Sequence, residues 1–208
     1  MVRRSADERR TEMLDATVAQ IVERGLADVR VDDVARACGV SRALVFYHFE
    51  TKERLLSEAF AFAARSDLDR LSRAVTAKGT CTQRLRAVLR LYQPAGDAPG
   101  WTLDIDAWSE ALRTPEIRAA SAELDRHWRA AIAQVVSDGV EAGEFTCEDP
   151  QASALRIAAI LDGLAVATQV RLSVRRAQAA RWAAEAAARE VGLAPDALAL
   201  RGGPRRTA

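Results

Sequence analysis

From residue 13 onward apolar side chains recur three and four positions apart, the period of an α-helix buried along one side. Met13, Leu14, Thr17, Val18, Ile21 and Val22 form the first such stripe. Ser5-Ala6-Asp7-Glu8 ahead of it has the form of a capping box, and Gly25 stands where a left-handed residue closes a helix, so a first helix is predicted over residues 5–24. Val31, Val34, Ala35 and Cys38 carry the period into a short second helix ended by Gly39, and Ser41 caps a third through Phe49. Thr51 opens a fourth helix to residue 75, where Leu55, Leu56, Ala59, Phe60, Ala63, Leu68, Leu71 and Val75 sustain the period long enough to connect two modules.

A fifth helix is predicted over 80–93, followed by the clearest break in the chain, Pro94-Ala95-Gly96-Asp97-Ala98-Pro99-Gly100. Helices over 101–113 and 115–142 follow, the second opened by Thr114-Pro115-Glu116 and stopped by Gly143. Asp149-Pro150 repeats the start signal for a helix reaching residue 172 that is apolar on almost every side, which demands more cover than one face of its own subunit. An Ala/Arg helix over 174–191 comes last, and residues 195–208 are expected to fray. No strand pattern and no repeat interrupts this series. The fold class is therefore all-α, with nine helices arranged as a three-helix head over 1–54, a larger domain over 55–193 and a tail over 194–208.

Composition narrows the function. The 208 residues carry 30 basic and 29 acidic side chains, with 49% hydrophobic content, which excludes a histone-like binder and a disordered chain. Forty-three alanines and six prolines favour helix. The three cysteines, Cys38, Cys81 and Cys147, fit neither a metal-ligand spacing nor a disulfide framework, so no metal or cofactor is expected. No run approaches the ~18–20 consecutive apolar residues that cross a bilayer, and the first ten residues lead into no apolar stretch; a cytoplasmic protein without a membrane partner is expected. Catalysis lacks a motif: there is no phosphate loop, no Cys-x-x-Cys and no nucleophile elbow, and His48 and His127 are the only histidines.

The informative segment runs from Val31 to Phe49. Ala35 is small where two helices cross, Gly39 permits a tight turn, and Val34, Val40 and Val45 can pack between the helices, as in a helix-turn-helix whose second member, residues 41–48, enters a major groove. The pattern Asp33-Val34-Ala35, Ala37, Gly39-Val40-Ser41-Arg42, Tyr47-His48-Phe49, Lys52 and Leu55-Leu56 resembles the tetracycline-repressor (TetR) family of bacterial regulators over about residues 9–56. The resemblance implies a homodimer that binds a near-palindromic double-stranded operator and is released by a small-molecule effector, with the fourth helix carrying the motion. It implies DNA contacts from Val31, Ser41, Arg42, Ala43, Phe46, Tyr47, His48 and Lys52. Arg42 has the donors for a guanine edge, Tyr47 a hydroxyl for a phosphate and Lys52 a point charge for another. Ala43, Leu44 and Phe46 stand where the family frequently has Gly, Thr and Tyr, so the operator sequence is not legible. With ten basic and ten acidic residues in 1–54, distribution rather than bulk charge has to attract DNA. Arg3, Arg4, Arg9 and Arg10 form either an arm along the backbone or a solvated helix start.

Residues 97–125 hold seven acids against two arginines. Trp101, Asp104 and Trp108 share one helical face, Trp128 lies on the next helix and Tyr92 precedes the break. Indoles beside a carboxylate hold organic cations; the alternative is that the tryptophans fill core and the acids are solvated. Asp162 in Ile160-Leu161-Asp162-Gly163-Leu164 needs a partner: Arg156 or Gln169, an arginine of a second subunit, or an effector. The candidate effector set is thus Tyr92, Trp101, Asp104, Trp108, Trp128 and Asp162. Trp108 with Glu110, Arg126 with Trp128, and Asp162-Gly163-Leu164 resemble the TetR subgroup that contains the choline-responsive repressors of betaine synthesis, which implies a cationic or amine effector. A neutral hydrophobic or acyl effector is the alternative, and a small helical enzyme or an adaptor without DNA binding is the rival of another class.

Overall fold

The computed structural model describes residues 5–92 and 100–199. Among the described residues the chain forms nine α-helices and no strand. They are α1 Ala6–Arg24, α2 Val31–Ala37, α3 Arg42–Phe49, α4 Lys52–Val75, α5 Cys81–Tyr92, α6 Gly100–Ala111, α7 Pro115–Glu141, α8 Pro150–Gln169 and α9 Arg176–Glu190. Several starts follow the expected chemistry, whereas α9 begins at Arg176 and not at residue 174, with no side-chain cap from Arg175. Ser5 and Glu8 close the capping box of α1, the Thr51 hydroxyl accepts from the Arg54 amide, Thr80 and Gln83 cap α5 reciprocally, and Asp149 accepts from the Gln151 and Ala152 amides at the start of α8. The expected break at 94–100 lies outside the described residues except for Gly100, as do Gln93, Arg3 and Arg4.

Two ends differ from expectation. Helix α8 stops at Gln169, three residues early, because the chain turns there: the Arg171 and Ser173 amides bond back to Val166 and Ala167, and Leu172 takes a φ of 52°. Residues 195–199 are not frayed, since Leu198 is completely buried and an Arg86 Nη donates to the Ala197 carbonyl at 2.5 Å. The remainder of the expected tail, 200–208, lies outside the described residues.

The described residues divide into two compact units, those within 1–66 and 99–125 and those within 67–98 and 126–208. Packing therefore groups α6 and the start of α7 with the head, a division that does not follow the chain-order boundary at residue 54. The core of the first unit joins Met13, Leu14 and Ile21 of α1, Val34 of α2, Val45 and Phe49 of α3, Leu55, Leu56 and Phe60 of α4, and Leu103, Ala107 and Ile117. Between α2 and α3 the Val40 amide bonds to the Ala35 carbonyl at 2.9 Å while Gly39 turns the chain with a φ of 63°. Only a residue without a Cβ adopts that conformation without strain.

In the second unit α8 packs on α9; Ala154, Ile157, Ala158, Leu161 and Ala165 of the one and Ala179, Ala183, Ala184 and Ala187 of the other are buried, and small side chains let helices approach. Glu144 caps α5 from a distance in sequence, accepting from the Cys81 and Thr82 amides at 2.8 and 3.0 Å; those bonds, Thr82 first, hold its carboxyl below the usual range. Within α7, position 139 takes glycine because Phe145 lies against it: a Cβ there would sit 2.1 Å from the Phe145 ring. Gly139→Ala gains ~1 kcal/mol of helix propensity but must displace a buried ring, which costs ~1–3 kcal/mol. The variant is expected to melt several degrees below the parent in a calorimetric scan. A raised melting temperature would show that Phe145 moves freely.

Candidate nucleic-acid interface and effector site

Helix α3 presents one face to solvent. Its buried face, Val45 and Phe49, anchors it to the head core, and the Ser41 hydroxyl fixes its start by accepting from the Leu44 amide at 3.2 Å. The opposite side exposes Ser41, Arg42, Ala43 and Tyr47, the last at 80%, with Phe46 and His48 half-buried at its edges. Tyr47 and His48 meet edge to face with ring centroids 5.4 Å apart. Arg42 is held from two sides: an Nη donates to Asp32 at 3.1 Å, and the guanidinium lies 5.3 Å from the Phe46 ring centroid. Lys52 at the start of α4 donates to the Ala27 carbonyl at 3.2 Å.

Seven of the eight expected DNA-contact residues therefore carry a side chain with exposed surface. Val31 does not. It is 6% exposed and belongs to the head core, because the first residue of α2 is the one that closes the helix pair against α1. Arg10 fits neither the arm nor the solvated helix start offered for it: its guanidinium sits 4.8 Å from the Phe49 ring centroid and pairs with Glu58, so it braces α3 and α4. The adjacent acids Asp32 and Asp33 have different duties. Asp33 accepts from Arg24 and Arg36, each at 2.7 Å, and the Arg36 hydrogen bond is the main cause of its lowered pKa.

Two of the acids in 97–125 are engaged by the protein itself, Asp106 by the head and Glu110 within its own segment. Asp106 on α6 accepts from the Leu26 amide at 2.5 Å, just beyond Gly25, whose φ of 84° turns the chain at the end of α1. Glu110, one turn on, accepts from the Thr114 hydroxyl at 2.5 Å and from Arg113; these bonds, Thr114 first, hold its carboxyl below the usual range, with Lys52 adding attraction. Leu103, Asp106, Ala107 and Glu110 follow the 3, 4, 7 spacing of one stripe. Sequence reasoning missed its polar members because alternation shows a face and not what lies against it.

The six expected effector residues fall three to each unit. In the first, Trp101 and Trp108 meet each other edge to face at 6.0 Å, and Asp104 is half-buried. In the second, three helices converge: the Tyr92 hydroxyl, at the end of α5, donates to Asp162 of α8 at 2.8 Å, and the Tyr92 ring stands edge-on to Trp128 of α7 at 4.7 Å. Asp162 thus has a partner that the helical offsets did not suggest. Arg156 is engaged with Glu190 at 2.7 Å and with Ser153. Tyr92 is buried and Trp128 and Asp162 are half-buried, so two aromatic rings and a carboxylate stand together, the pairing that attracts an organic cation. Among the described residues no group of His, Cys, Asp and Glu is arranged to hold a metal ion.

Residues 13–59 match the family model for bacterial regulatory proteins of the tetR family, and residues 81–192 match the model for the C-terminal part of BetI-type transcriptional repressors. The HTH-type transcriptional regulator BetI of Rhizobium meliloti is 32% identical over 114 residues, which cover 53% of this chain and 55% of the relative, about half its length. Its namesake in Paraburkholderia phytofirmans is 27% identical over 163 residues, 75% of this chain and 79% of the relative. Among solved structures, a transcriptional regulator from Saccharomonospora viridis in complex with choline superimposes with a TM-score of 0.73 at 26% identity, covering 85% of this chain and 94% of that one. A TetR regulator from Haloarcula marismortui shares the fold with a TM-score of 0.78 at 22% identity, over 89% and 99% of the two chains.

Proposed function

Because the chain belongs to the TetR family of transcriptional regulators, with a C-terminal domain of the BetI type, we propose that it is a cytoplasmic repressor that binds a near-palindromic operator as a homodimer and leaves it when an organic cation binds. Regulators of this family are not enzymes. The observation that carries DNA binding is the α3 face: Arg42, Ala43 and Tyr47 stand in solvent while Val45 and Phe49 hold the helix rigid. An aromatic exposed at 80% beside an arginine has no role in the core and suits contacts to a phosphate and a base edge.

The test is enrichment of sites from a randomised duplex pool by the full chain, followed by anisotropy titrations of the enriched site at several salt concentrations. A two-half-site consensus is expected, with affinity falling by about 10³-fold or more between 50 and 200 mM salt. Tyr47→Ala should weaken binding at least tenfold at unchanged oligomeric state and melting temperature. A pool that yields no consensus, with affinity indifferent to salt, would favour the adaptor instead.

Three residues support an organic cation as the effector, Tyr92, Trp128 and Asp162, and the choline bound in the Saccharomonospora regulator has the same chemistry. The dimer is supported by α8. Its inner face is buried, whereas Leu155 at 52% and Ile160 at 37% lie exposed, with Val170 just past its end at 57% and Trp182 of α9 at 39%. A Cβ added at Gly163 would meet nothing in the chain. Length and apolar content alone would let Pro150–Gln169 span a bilayer, and a second copy of the helix pair, completing a four-helix bundle, is the cover proposed for it.

A further inference from the structure

Two observations around Arg42 are not accounted for by its own exposure. Its guanidinium is tied to Asp32 across the helix-turn-helix, Nη1 to Oδ2 at 3.1 Å, and lies 5.3 Å from the Phe46 ring centroid. Both charged side chains are more than half exposed, at 60% and 55%, so the pair adds little to the stability of the fold. Its consequence is geometric. A guanidinium is a planar fork of five donors, and a carboxylate on one nitrogen with a ring beside it leaves fewer orientations for the remaining donors. Asp32 is the only one of the two adjacent acids turned to α3, since Asp33 is occupied by Arg24 and Arg36.

We propose that Asp32 is a specificity-determining positioning residue, which holds the Arg42 fork for a guanine edge and keeps it off the DNA backbone. The proposal rests on the chain being an operator-binding regulator. The carboxylate acts in two directions. It fixes the orientation in which two donors meet O6 and N7 of one guanine, and its charge repels the phosphates to which a free arginine would turn. When DNA excludes water from the face, the attraction between Asp32 and Arg42 strengthens, so the constraint is greatest in the complex. Removing the charge should therefore loosen sequence discrimination while raising affinity for unrelated duplex, a combination that loss of structure does not produce.

The experiment uses the full chain, the duplex enriched by the parent protein and every single-base variant of one half-site, with the parent, Asp32→Asn, Asp32→Glu and Arg42→Ala. The parent is expected to discriminate about 10–100-fold at one G·C pair. Asp32→Asn should lose most of that preference at this pair alone, with affinity for scrambled duplex raised about two- to fivefold and a steeper salt dependence. Asp32→Glu, which keeps the charge, should recover part of the preference, and Arg42→Ala should abolish it. Parent-like preference in Asp32→Asn overturns the proposal, as does weakening that is uniform across positions and accompanied by a lowered melting temperature. Unchanged preference in Arg42→Ala overturns it together with the assignment of Arg42 as a base reader. Failure of the parent to enrich any site removes the operator reading itself.

Discussion

Ile160→Glu is expected to turn a dimer into a monomer at micromolar concentration. Ile160 belongs to the outward side of α8 with Leu155, Ala159 and Gly163, opposite the stripe Ile157, Leu161, Ala165 and Thr168 that its own subunit buries. In a two-fold dimer the substitution appears twice in one interface. Each carboxylate entering that interface unpaired costs several kcal/mol, and the two repel each other, so the dimer constant should rise by about 10³-fold or more. Because Ile160 is 37% exposed in the single chain, the helix itself has no reason to melt. Light scattering should show half the parent mass at unchanged helicity, and operator affinity should fall, since each head then holds only one half-site. Ile160→Leu should remain dimeric. A parent chain that is monomeric at these concentrations, or a dimeric Ile160→Glu, would show that another surface joins the subunits.

That α8 is apolar all round was legible from residues alone, and so were the helix starts, because capping boxes and Pro-containing first turns are local chemistry. The early end of α8 was not. Val170 and Leu172 continue the apolar pattern, but backbone bonds from Arg171 and Ser173 close the helix, and no side chain announces them. Across the candidate sites the same division holds. Arg42 and Tyr47 were singled out by a family motif that the sequence resembles, whereas the roles of Val31 and Arg10 depended on what lay against them: a core in one case, Phe49 and Glu58 in the other. Tyr92 and Asp162 are 70 residues apart, and only the fold makes them partners. A pattern within one helix cannot contain such a pair. This is also why Asp32 carried no signal; its function depends on a residue across the turn.

Asp162→Asn is expected to abolish the response to an organic cation while leaving the fold and DNA binding in place. Choline is the probe. The carboxylate contributes the only formal charge among Tyr92, Trp128 and Asp162, and aromatic faces add ~0.5–2 kcal/mol of attraction for a quaternary ammonium. Asparagine preserves the size of the group and an acceptor for the Tyr92 hydroxyl, so what it removes is charge. Losing one partner of a partly desolvated charge pair costs ~2–5 kcal/mol, a weakening of about 30-fold or more. Trp128→Ala should weaken choline by about tenfold, and Tyr92→Phe tests the hydroxyl separately. Asp104→Asn, on α6 between Trp101 and Trp108 in sequence, is the comparison: it should change choline affinity little if the Tyr92 group is the cation site. Titrations following tryptophan fluorescence, with operator release measured in parallel, read both consequences. Saturable binding of an uncharged isostere as tight as that of choline would remove the cation as the effector class, and a loss confined to Asp104→Asn would move the site to the Trp101 and Trp108 pair.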